Sequence, residues 1–264
     1  MNLRQKLKYF VFNHVPFLRG AFPYFGTQVY FPRRSLTFKL ACEQGIFESA
    51  NMRILTGLAR PDSIYFDVGT NIGLMSIPVL CYCPKTTVIS IEASPNVIPY
   101  LMRTVQGSRF GARWSVIPEA AGEAIGEAEF TLSAPEHSAF DGFQPTSRVP
   151  ATGAAKVKVT TLDAEWEKLG RPDVSIIKCD VEGADALVLK GAKTCLKARR
   201  PFVLIEWYAD NLAAFGFSHG LLLEIANELD YQLYAVPSFA RVESDQELKL
   251  QMLVTESFLL APES

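Results

Sequence analysis

Four carboxylates stand at the ends of short apolar runs that are typical of buried β-strands. They are Asp67, Glu92, Asp180 and Glu206. Strands and helical stretches alternate along this part of the chain, which predicts a mostly parallel sheet covered by helices on both faces. Because ligands of such sheets bind outside the carboxyl ends of the strands, the four acids indicate one binding site at that edge.

The turn after the first of these strands is the centre of the predicted site. We expect a strand over 64–68, a tight turn, and a helix that begins near Ile72. Gly69 and Gly73 permit positive φ and let the backbone come close to a ligand. The start of the helix adds free N–H groups and the positive end of its dipole. Such a turn holds the negative end of a nucleotide-like or amino-acid-bearing cofactor.

Glu92 and Asp67 narrow the choice of cofactor. Glu92 follows the glycines by about 20 residues, the spacing at which an acid meets ribose hydroxyls after one βαβ unit. Asp67 favours a cationic ammonium or sulfonium group and disfavours a pyrophosphate. The glycines also do not form the Gly-x-Gly-x-x-Gly pattern of dinucleotide sites. A nicotinamide-dependent oxidoreductase therefore remains an alternative that only Glu92 supports.

Three segments of the chain resemble the class I S-adenosylmethionine-dependent methyltransferases, and within them the FkbM family. The segments are 66–73, 91–95 and 176–192. The first two are generic to the superfamily. The third contains Lys178-Cys-Asp180-Val-Glu182-Gly-Ala-Asp185, which is similar to the family's Lys-x-Asp-Val-Glu-Gly-Ala-Glu signature, with Asp185 in place of the usual Glu. Together the segments span most of residues 43–206.

The resemblance implies an α/β, Rossmann-like class I methyltransferase fold. Its sheet would have seven strands, mostly parallel with the last antiparallel, with helices on both faces and an N-terminal extension. We expect an arm, hairpin and cap in residues 1–50 and the methyltransferase domain in residues 51–264. The implied activity is S-adenosylmethionine-dependent O-methylation of a hydroxyl on a small molecule, a sugar or glycan, or a natural-product scaffold. A catalytically silent cofactor-binding module is a further alternative.

The resemblance also implies roles for individual residues. The cofactor-binding residues would be Asp67, Gly69, Thr70, Asn71, Gly73, Glu92, Ala93, Ala121 and Asp180. Ala121 belongs to a stretch of small residues that would let an adenine ring approach. Asp180 is the candidate base for the acceptor hydroxyl, and Glu182 or Lys178 would orient it. Because side chains alternate along a strand, Lys178 and Asp180 are expected to face the same way as a partly buried pair.

Histidines and a metal offer other ways to remove the acceptor proton. His219, near the start of a helix past the fifth strand, is a second candidate catalytic residue, and its alternative is a helix-capping surface role. His137 is a further candidate base. Asp180, Glu182 and Glu206 are hard oxygen ligands that would suit Mg²⁺. The sequence does not require a metal, and the scattered cysteines do not form a zinc pattern.

The remaining pattern predicts the elements that position these residues. We expect a hairpin from 27–31 and 35–39, helix 48–58, helix 72–82, strand 87–92, helix 95–107 and strand 113–118. Further strands are predicted at 127–133, 156–162, 174–179, 201–205, 231–236 and 252–260, with helices at 163–169, 184–193 and 220–229. Asp163 is the predicted N-cap of its helix. Residues 134–153 have no periodicity, and we expect them to form part of an acceptor-binding rim.

The N-terminal region is basic and aromatic over residues 1–25. We expect it to cap the core; a lid over the acceptor and a patch that touches a membrane surface are the alternatives. Glu43 and Glu48 follow this region. The resemblance places them near the methionine end of the cofactor, and exposed helix acids are the equal alternative.

Composition excludes several other classes of function. The net charge of −2 gives no support to nucleic-acid binding. No apolar run is long enough to span a bilayer, and the N-terminus lacks the features of a signal peptide. The five scattered cysteines favour a reducing cytoplasmic location. We therefore expect a small-molecule or glycan acceptor as the partner, and a homo-oligomer is left open.

Overall fold

The computed structural model describes residues 1–263, and its elements follow one another in a mainly alternating order. The strands are β1 Ala21–Tyr24, β2 Thr27–Tyr30, β3 Ile64–Val68, β4 Thr87–Ile91, β5 Trp114–Ile117, β6 Ala120–Ala121, β7 Gly126–Leu132, β8 Gly153–Thr160, β9 Val174–Cys179, β10 Phe202–Glu206, β11 Tyr231–Ala235, β12 Ala240–Val242 and β13 Ser257–Pro262. The helices are α1 Leu3–His14, α2 Leu36–Gln44, α3 Ser49–Leu58, α4 Ser76–Tyr82, α5 Ile98–Gln106, α6 Leu162–Lys168, α7 Asp185–Lys190, α8 Lys193–Arg199, α9 Ala209–Phe215, α10 Leu221–Glu228 and α11 Asp245–Gln251, with 3₁₀ turns at Gly111–Arg113 and Pro135–Phe140.

The central sheet has the strand order β12-β11-β13-β10-β9-β3-β4-β5. Strands β10, β9, β3, β4 and β5 are parallel to their neighbours, and β13 runs antiparallel between β10 and β11. The expected Rossmann-like α/β sheet with an antiparallel last strand is therefore confirmed. It has eight strands within residues 1–263 where seven were expected, because the chain turns back after β11 and adds β12 at the edge.

Burial on both faces explains the composition of the central strands. Every residue of β3 and β9 is buried. Phe66 and Ile177 pack into the apolar cluster on one face, and Tyr65 and Ile176 pack into the cluster on the other. Alternate side chains point to opposite faces of a strand, so a strand covered by helices on both sides is apolar at nearly every position.

The N-terminal hairpin lies earlier in the chain than expected. It joins β1 to β2 through Phe25 and Gly26, both of which have positive φ, as a tight two-residue hairpin turn requires. The predicted second strand at 35–39 is instead the start of α2. The Ser35 side chain accepts a hydrogen bond from the Phe38 backbone N–H at 3.2 Å and caps that helix.

Aromatic side chains join the N-terminal elements to one another. The Phe31 and Phe38 rings stack with centroids 4.0 Å apart, and Phe22 lies 4.7 Å from Phe38. Tyr9 and Phe12 of α1 also contact the Phe38 ring. Helix α1 therefore packs on α2, and α2 packs on the hairpin.

Three further predictions of element bounds are wrong. Helix α4 begins at Ser76 and not near Ile72, because the positive φ of Asn71 and Gly73 keeps that stretch in a turn. Thr161, and not Asp163, caps α6, and the Asp163 carboxylate accepts hydrogen bonds from two N–H groups at the start of α8. The predicted strand from 252 begins only at Ser257, after helix α11.

The predicted helix over 184–193 is two helices, α7 and α8, with Gly191 between them. A Cβ at Gly191 would lie 2.0 Å from the Gly122 carbonyl oxygen. This close backbone approach holds the small sheet β6-β8-β7 against the main domain. Within residues 1–263, no helix is both long and apolar enough to cross a membrane.

The close approach at Gly191 gives a stability prediction. Gly191→Ala should lower the free energy of unfolding by about 1–3 kcal/mol, because the added methyl group must push two backbone segments apart. Gly57→Ala is the matched control, since Gly57 lies inside α3 and a Cβ on it would have no neighbouring atom within 4 Å. There alanine should raise the free energy of unfolding by about 0.5–1 kcal/mol. Urea unfolding of both variants measures the difference, and equal effects would contradict the close contact.

Candidate active site

The turns after β3 and β9 lie backbone against backbone. Gly69 has a φ of +71°, and a Cβ on it would lie 1.8 Å from the Asp180 carbonyl oxygen. The Asp180 N–H donates to the Val68 carbonyl at 3.2 Å. Only glycine permits both this φ and this approach, so the first glycine of the turn also sets the distance between the two loops.

Lys178 connects the same two loops through its charge. Its Nζ lies 3.0 Å from an Asp180 carboxylate oxygen, 3.8 Å from Asp67 Oδ1 and 3.3 Å from the Gly69 carbonyl. Burial lowers the pKa of Lys178, but the charges of Asp180, Asp67 and Glu48 outweigh burial and raise it above its usual range. Lys178 is therefore an ammonium paired with Asp180, and its role in orienting that carboxylate for chemistry stays a prediction.

Asp67 lies beneath the turn and does not line the cavity. It is fully buried, and its Oδ2 accepts hydrogen bonds from Thr70 Oγ1 at 2.7 Å and Ser76 Oγ at 2.5 Å. The prediction that Asp67 meets the cofactor directly is therefore corrected. Its carboxylate holds the turn and the first residue of α4 in place, and its charge balances Lys178.

Gly73 also lies behind the turn. Its φ is +87°, and a Cβ there would lie 2.9 Å from the Trp114 ring. The positive φ that the sequence predicted is present, but Gly73 faces the core between Trp114 and Leu101. It shapes the turn and is not part of the cavity lining.

Glu92 closes one end of the cavity. Its Oε2 accepts the Asn71 N–H at 2.8 Å and its Oε1 accepts the Ser94 N–H at 2.8 Å. Burial raises the pKa of this carboxyl, while the hydrogen bonds from the Ser94, Asn71 and Ala93 backbone oppose the rise. Each oxygen keeps a further lone pair for a ligand hydroxyl.

Three carboxylates form the other end of the cavity. One oxygen each of Asp180, Glu182 and Glu206 lies within 4.8 Å of the others. Burial and the Asp180 charge raise the pKa of Glu182 to about 8 and raise that of Glu206 well above its usual range. Glu182 and Glu206 therefore favour the protonated form near neutral pH, because burial and the neighbouring carboxylates disfavour their charged form.

The backbone of the β9 turn is bent to present these acids. Glu182 has a φ of +54°, an uncommon conformation for a residue with a side chain, and Gly183 follows with +94°. Asn211 donates to the Glu182 carboxylate at 3.0 Å. The Asn211 carbonyl would lie 2.7 Å from a Cβ at Gly183, so α9 holds the strained turn from behind.

Arg148 brings a positive charge to the acidic cluster from the long loop. Its guanidinium lies over the Tyr208 ring at 4.2 Å and the Phe140 ring at 5.3 Å. Its nearest carboxylate is that of Glu182, at 4.0 Å. Within residues 1–263, Nε and Nη2 of Arg148 are buried without a hydrogen-bond partner.

The loop 134–153 is more ordered than its sequence suggests and forms a wall of the cavity. Asp141 ties it to the start of α5, since the Asp141 carboxylate accepts hydrogen bonds from Ser94 Oγ at 2.6 Å and from Asn96 at 3.0 Å. Phe140 and Phe143 of this loop line a cavity of about 270 Å³ together with Leu36 and Leu40 of α2. That volume is close to the lower end of the usual range for small-molecule sites, about 300–1,000 Å³.

The structure brings most of the predicted site residues to one cavity. Those that line it are Gly69, Thr70, Asn71, Glu92, Ala93, Ala121, Lys178, Asp180 and Glu182. His219 is separate: its carbonyl accepts the Trp207 indole N–H at 2.9 Å, and the residue lines a different surface cleft. The cavity lining also does not include His137. The proposed catalytic position of His219 is thus corrected, because this residue lies beyond α9 and lines the other cleft.

The sequence did not single out every residue of the cavity. Arg148 and Asp141 lie in a stretch without periodicity, so only their polarity within an unusually long loop marked them. Glu48, for which two roles were open, lines the cavity, whereas Glu43 is a surface acid 4.0 Å from Lys39. Burial and the nearby Asp180 charge raise the pKa of Glu48.

Asp185 gives a prediction about the pH dependence of stability. It is almost fully buried, and burial together with the Asp180 charge raises its pKa to about 7. The unfolded chain releases this proton near pH 4. Between about pH 4 and pH 7 the folded state holds the extra proton, so this group makes the protein progressively less stable as pH rises. At roughly 1.4 kcal/mol per pH unit, the free energy of unfolding falls by at most about 4 kcal/mol between pH 4 and pH 7 because of this group.

Asp185→Asn removes this titration. Urea unfolding at pH 5 and pH 8 should show that the variant gains stability relative to the wild type at the higher pH. Asp245→Asn is the control, because Asp245 is half exposed beside Lys249, and its difference from the wild type should change little with pH. A constant difference for Asp185→Asn would show that its carboxyl titrates normally.

The chain is similar to known methyltransferases in sequence and in structure. The sequence profile of the methyltransferase FkbM domain matches residues 67–233. Hexuronic acid methyltransferase AglP from Haloferax volcanii is 30% identical over 159 residues, which make up 60% of this chain and 61% of that protein. The chain thus matches about three fifths of the length of that curated relative.

Two solved structures are similar at low sequence identity. Methyltransferase FkbM from Methylobacillus flagellatus KT has a TM-score of 0.49 and 20% identity, over 87% of this chain and 53% of that chain. The SAH-bound methyltransferase PaMTH1 from Podospora anserina has a TM-score of 0.44 and 11% identity, over 88% of this chain and 81% of that chain. The profile match covers more than half of the sequence and includes both turns that meet at the cavity, so the chain belongs to the FkbM methyltransferase family.

Proposed function

We propose that the protein is an S-adenosylmethionine-dependent O-methyltransferase that acts on a sugar or glycan hydroxyl. The observation that carries the proposal is one cavity with two chemically different ends. Glu92, after β4 on one side of the glycine turn, marks one end, and the acidic cluster after β9 and β10 on the other side, with Arg148, marks the other. The first end suits an adenosine-bearing cofactor, and the second suits a hydroxylated acceptor that must lose a proton.

The residues of the first end fit the cofactor. Glu92 would accept hydrogen bonds from ribose hydroxyls, and the small side chains of Ala93 and Ala121 leave room for a ring beside the strand ends. The backbone of Gly69–Asn71 would face the amino-acid part. When bound, S-adenosylmethionine supplies an electrophilic methyl group beside these residues.

Asp180 is the proposed base of the second end. Its side chain is 31% exposed, whereas that of its partner Lys178 is only 7% exposed. The Lys178 ammonium fixes the direction of the Asp180 carboxylate, so one oxygen stays free to accept the hydroxyl proton. General-base catalysis of this kind contributes about 10²–10⁴-fold in rate. Glu182 and Glu206 lie within 4.8 Å, but their raised pKa values favour the protonated form, so neither glutamate is the proposed base.

The charge of the cavity argues against the alternatives. Eight carboxylates line it, against the cations Lys178 and Arg148: Glu48, Glu92, Glu119, Asp141, Asp180, Glu182, Glu206 and Glu256. A pyrophosphate would be repelled here, which disfavours a nicotinamide dinucleotide, whereas a sulfonium would be attracted. A silent cofactor-binding module does not account for the strained turn at Glu182, which costs stability and presents a carboxylate to the cavity.

Arg148 supports an acceptor that carries a carboxylate. Arg148 lines the cavity, stacks on Tyr208 and has two donors without a partner within residues 1–263, and a planar guanidinium matches a carboxylate. The relative from Haloferax volcanii is named as a hexuronic acid methyltransferase. A uronic acid residue would offer hydroxyl groups for methylation and a carboxylate for Arg148.

Magnesium remains a secondary proposal for the acidic cluster. Asp180, Glu182 and Glu206 offer three oxygens within 4.8 Å, which are ligands that Mg²⁺ prefers. Lys178 and Arg148 already supply positive charge at 3.0 Å from Asp180 and 4.0 Å from Glu182. The proposed role of Asp180 as base therefore does not require the metal, and turnover in the presence of EDTA would test its contribution.

Cofactor binding and turnover should separate in two variants. Glu92→Ala should weaken binding of S-adenosylmethionine by about 10–100-fold, because hydrogen bonds to a charged group contribute about 1.5–3 kcal/mol. Asp180→Asn should change that binding less than about tenfold and lower turnover by about 10²–10⁴-fold. Isothermal calorimetry measures the first effect, and methyl transfer from labelled cofactor to a panel of neutral sugars and uronic acids measures the second.

Glu123→Gln is the control for both measurements, since Glu123 is a surface acid paired with Lys190. The proposal would be contradicted if the wild-type protein bound neither S-adenosylmethionine nor its demethylated product below millimolar concentration. Normal turnover in Asp180→Asn would remove Asp180 as the base and leave the rest of the proposal standing.

The acceptor preference should depend on Arg148. Arg148→Ala should raise the KM for a uronic acid acceptor by about 10–100-fold and that for the matching neutral sugar by much less, since only the former loses a charge-assisted hydrogen bond. Arg241→Ala is the control, because Arg241 is half exposed and pairs with Glu243. Equal losses for both sugars would assign Arg148 to the stability of the loop and not to acceptor recognition.

A further inference from the structure

We propose that helix α1 and the turn after it dock the protein on an anionic lipid surface. The surface consists of the outward apolar side chains Leu3, Leu7, Phe10 and Phe17 and of the basic side chains around them. It lies outside the cavity lining. The inference rests on this surface alone and does not depend on the proposed methyl transfer.

The outer face of α1 is apolar and, within residues 1–263, its one aromatic contact is the stacking of Phe10 on His14 of the same helix. Leu3 is 83% exposed, Leu7 59%, Phe10 56% and, in the turn that follows, Phe17 98%. The spacing of three and four residues puts the first three on one face of the helix. The opposite face carries Tyr9 and Phe12, which pack on the Phe38 ring. Helix α1 is thus anchored on one side and presents a second apolar face to the outside.

Positive charge is concentrated in the same region. Residues 1–42 contain seven of the 26 Lys and Arg residues and none of the 28 Asp and Glu residues, so the rest of the chain is strongly acidic. Six of the seven side chains are exposed: Arg4, Lys6, Arg19, Arg33, Arg34 and Lys39. Within residues 1–263, only Lys39 of these six forms an ion pair, with Glu43.

The arrangement of apolar and basic groups favours a lipid surface. At about 100° per residue, Arg4 and Lys6 project on either side of the Leu3–Leu7–Phe10 stripe. An interfacial helix inserts its apolar stripe among acyl chains while flanking basic residues meet the anionic headgroups. Each Lys or Arg near such a surface adds about 1 kcal/mol. A second copy of this chain would bring the same positive charges against each other, which disfavours a homodimer through this face.

Docking in this way would place the cavity close to the lipid. Helix α1 packs on α2 through Tyr9 and Phe38, and Leu36 and Leu40 of α2 line the cavity. The cavity wall is therefore one helix away from the docking surface. This position suits an acceptor that is itself held at a membrane.

Vesicle sedimentation tests the proposal with the full chain. The protein should sediment with vesicles of equal parts phosphatidylcholine and phosphatidylglycerol, but not with phosphatidylcholine alone, and binding should weaken at high salt. The triple variant Leu7→Ser, Phe10→Ser and Phe17→Ser should lower binding by about tenfold or more. The double variant Arg4→Glu and Lys6→Glu should do the same without removing any apolar group.

The control replaces an equally exposed apolar patch elsewhere. Leu250, Leu253 and Val254 are 57%, 80% and 81% exposed near the end of α11, and serine at these positions should leave vesicle binding unchanged. Thermal unfolding and calorimetric S-adenosylmethionine binding should be the same in all variants, so a failure of lipid docking is separate from a failure of the proposed function. Absence of sedimentation with the mixed vesicles would overturn the proposal, and so would a dimer in solution that the triple variant dissociates.

Discussion

A single buried ammonium group organises the functional edge of this fold. Lys178 lies between Asp67 beneath the β3 turn and Asp180 on the β9 turn, and it also donates to the Gly69 carbonyl. Taking these charges out of water is costly unless each has a partner. The two loops must therefore stay within contact distance, and the absence of a side chain at Gly69 allows that contact. The positions of the cavity ends follow from this pair of loops.

The excess of acid at the cavity has a chemical consequence. Asp180, Glu182 and Glu206 are close enough that burial and mutual repulsion raise the pKa values of the two glutamates. A site of this kind attracts positive charge and accepts protons, both of which a sulfonium donor and a hydroxyl acceptor would provide. Arg148 offsets part of this negative charge through its contact with Glu182 at 4.0 Å. The loop that carries it is held in place by Asp141.

Some elements could be predicted from the sequence because the local apolar pattern and the burial of the segment in the folded protein favour the same secondary structure. Strands β3 and β9 were predicted at their observed bounds. A short apolar run between polar residues is typical of a strand that is buried on both faces. The start of α4 and the break at Gly191 were missed. Both depend on backbone conformations that distant residues impose: positive φ at Asn71 and Gly73, and the contact of Gly191 with Gly122. Periodicity does not contain that information.

The sequence by itself determined the family signature, the alternation of strands and helices in the central sheet, and the carboxylates that stand at strand ends. Only the tertiary structure decided which of these side chains line the cavity. Asp67 points under the turn, Arg148 reaches in from a loop without periodicity, and His219 lies in a different cleft. The physical reason is that the chemistry of a residue is local, whereas its direction and burial depend on the packing of segments that are far apart in the chain.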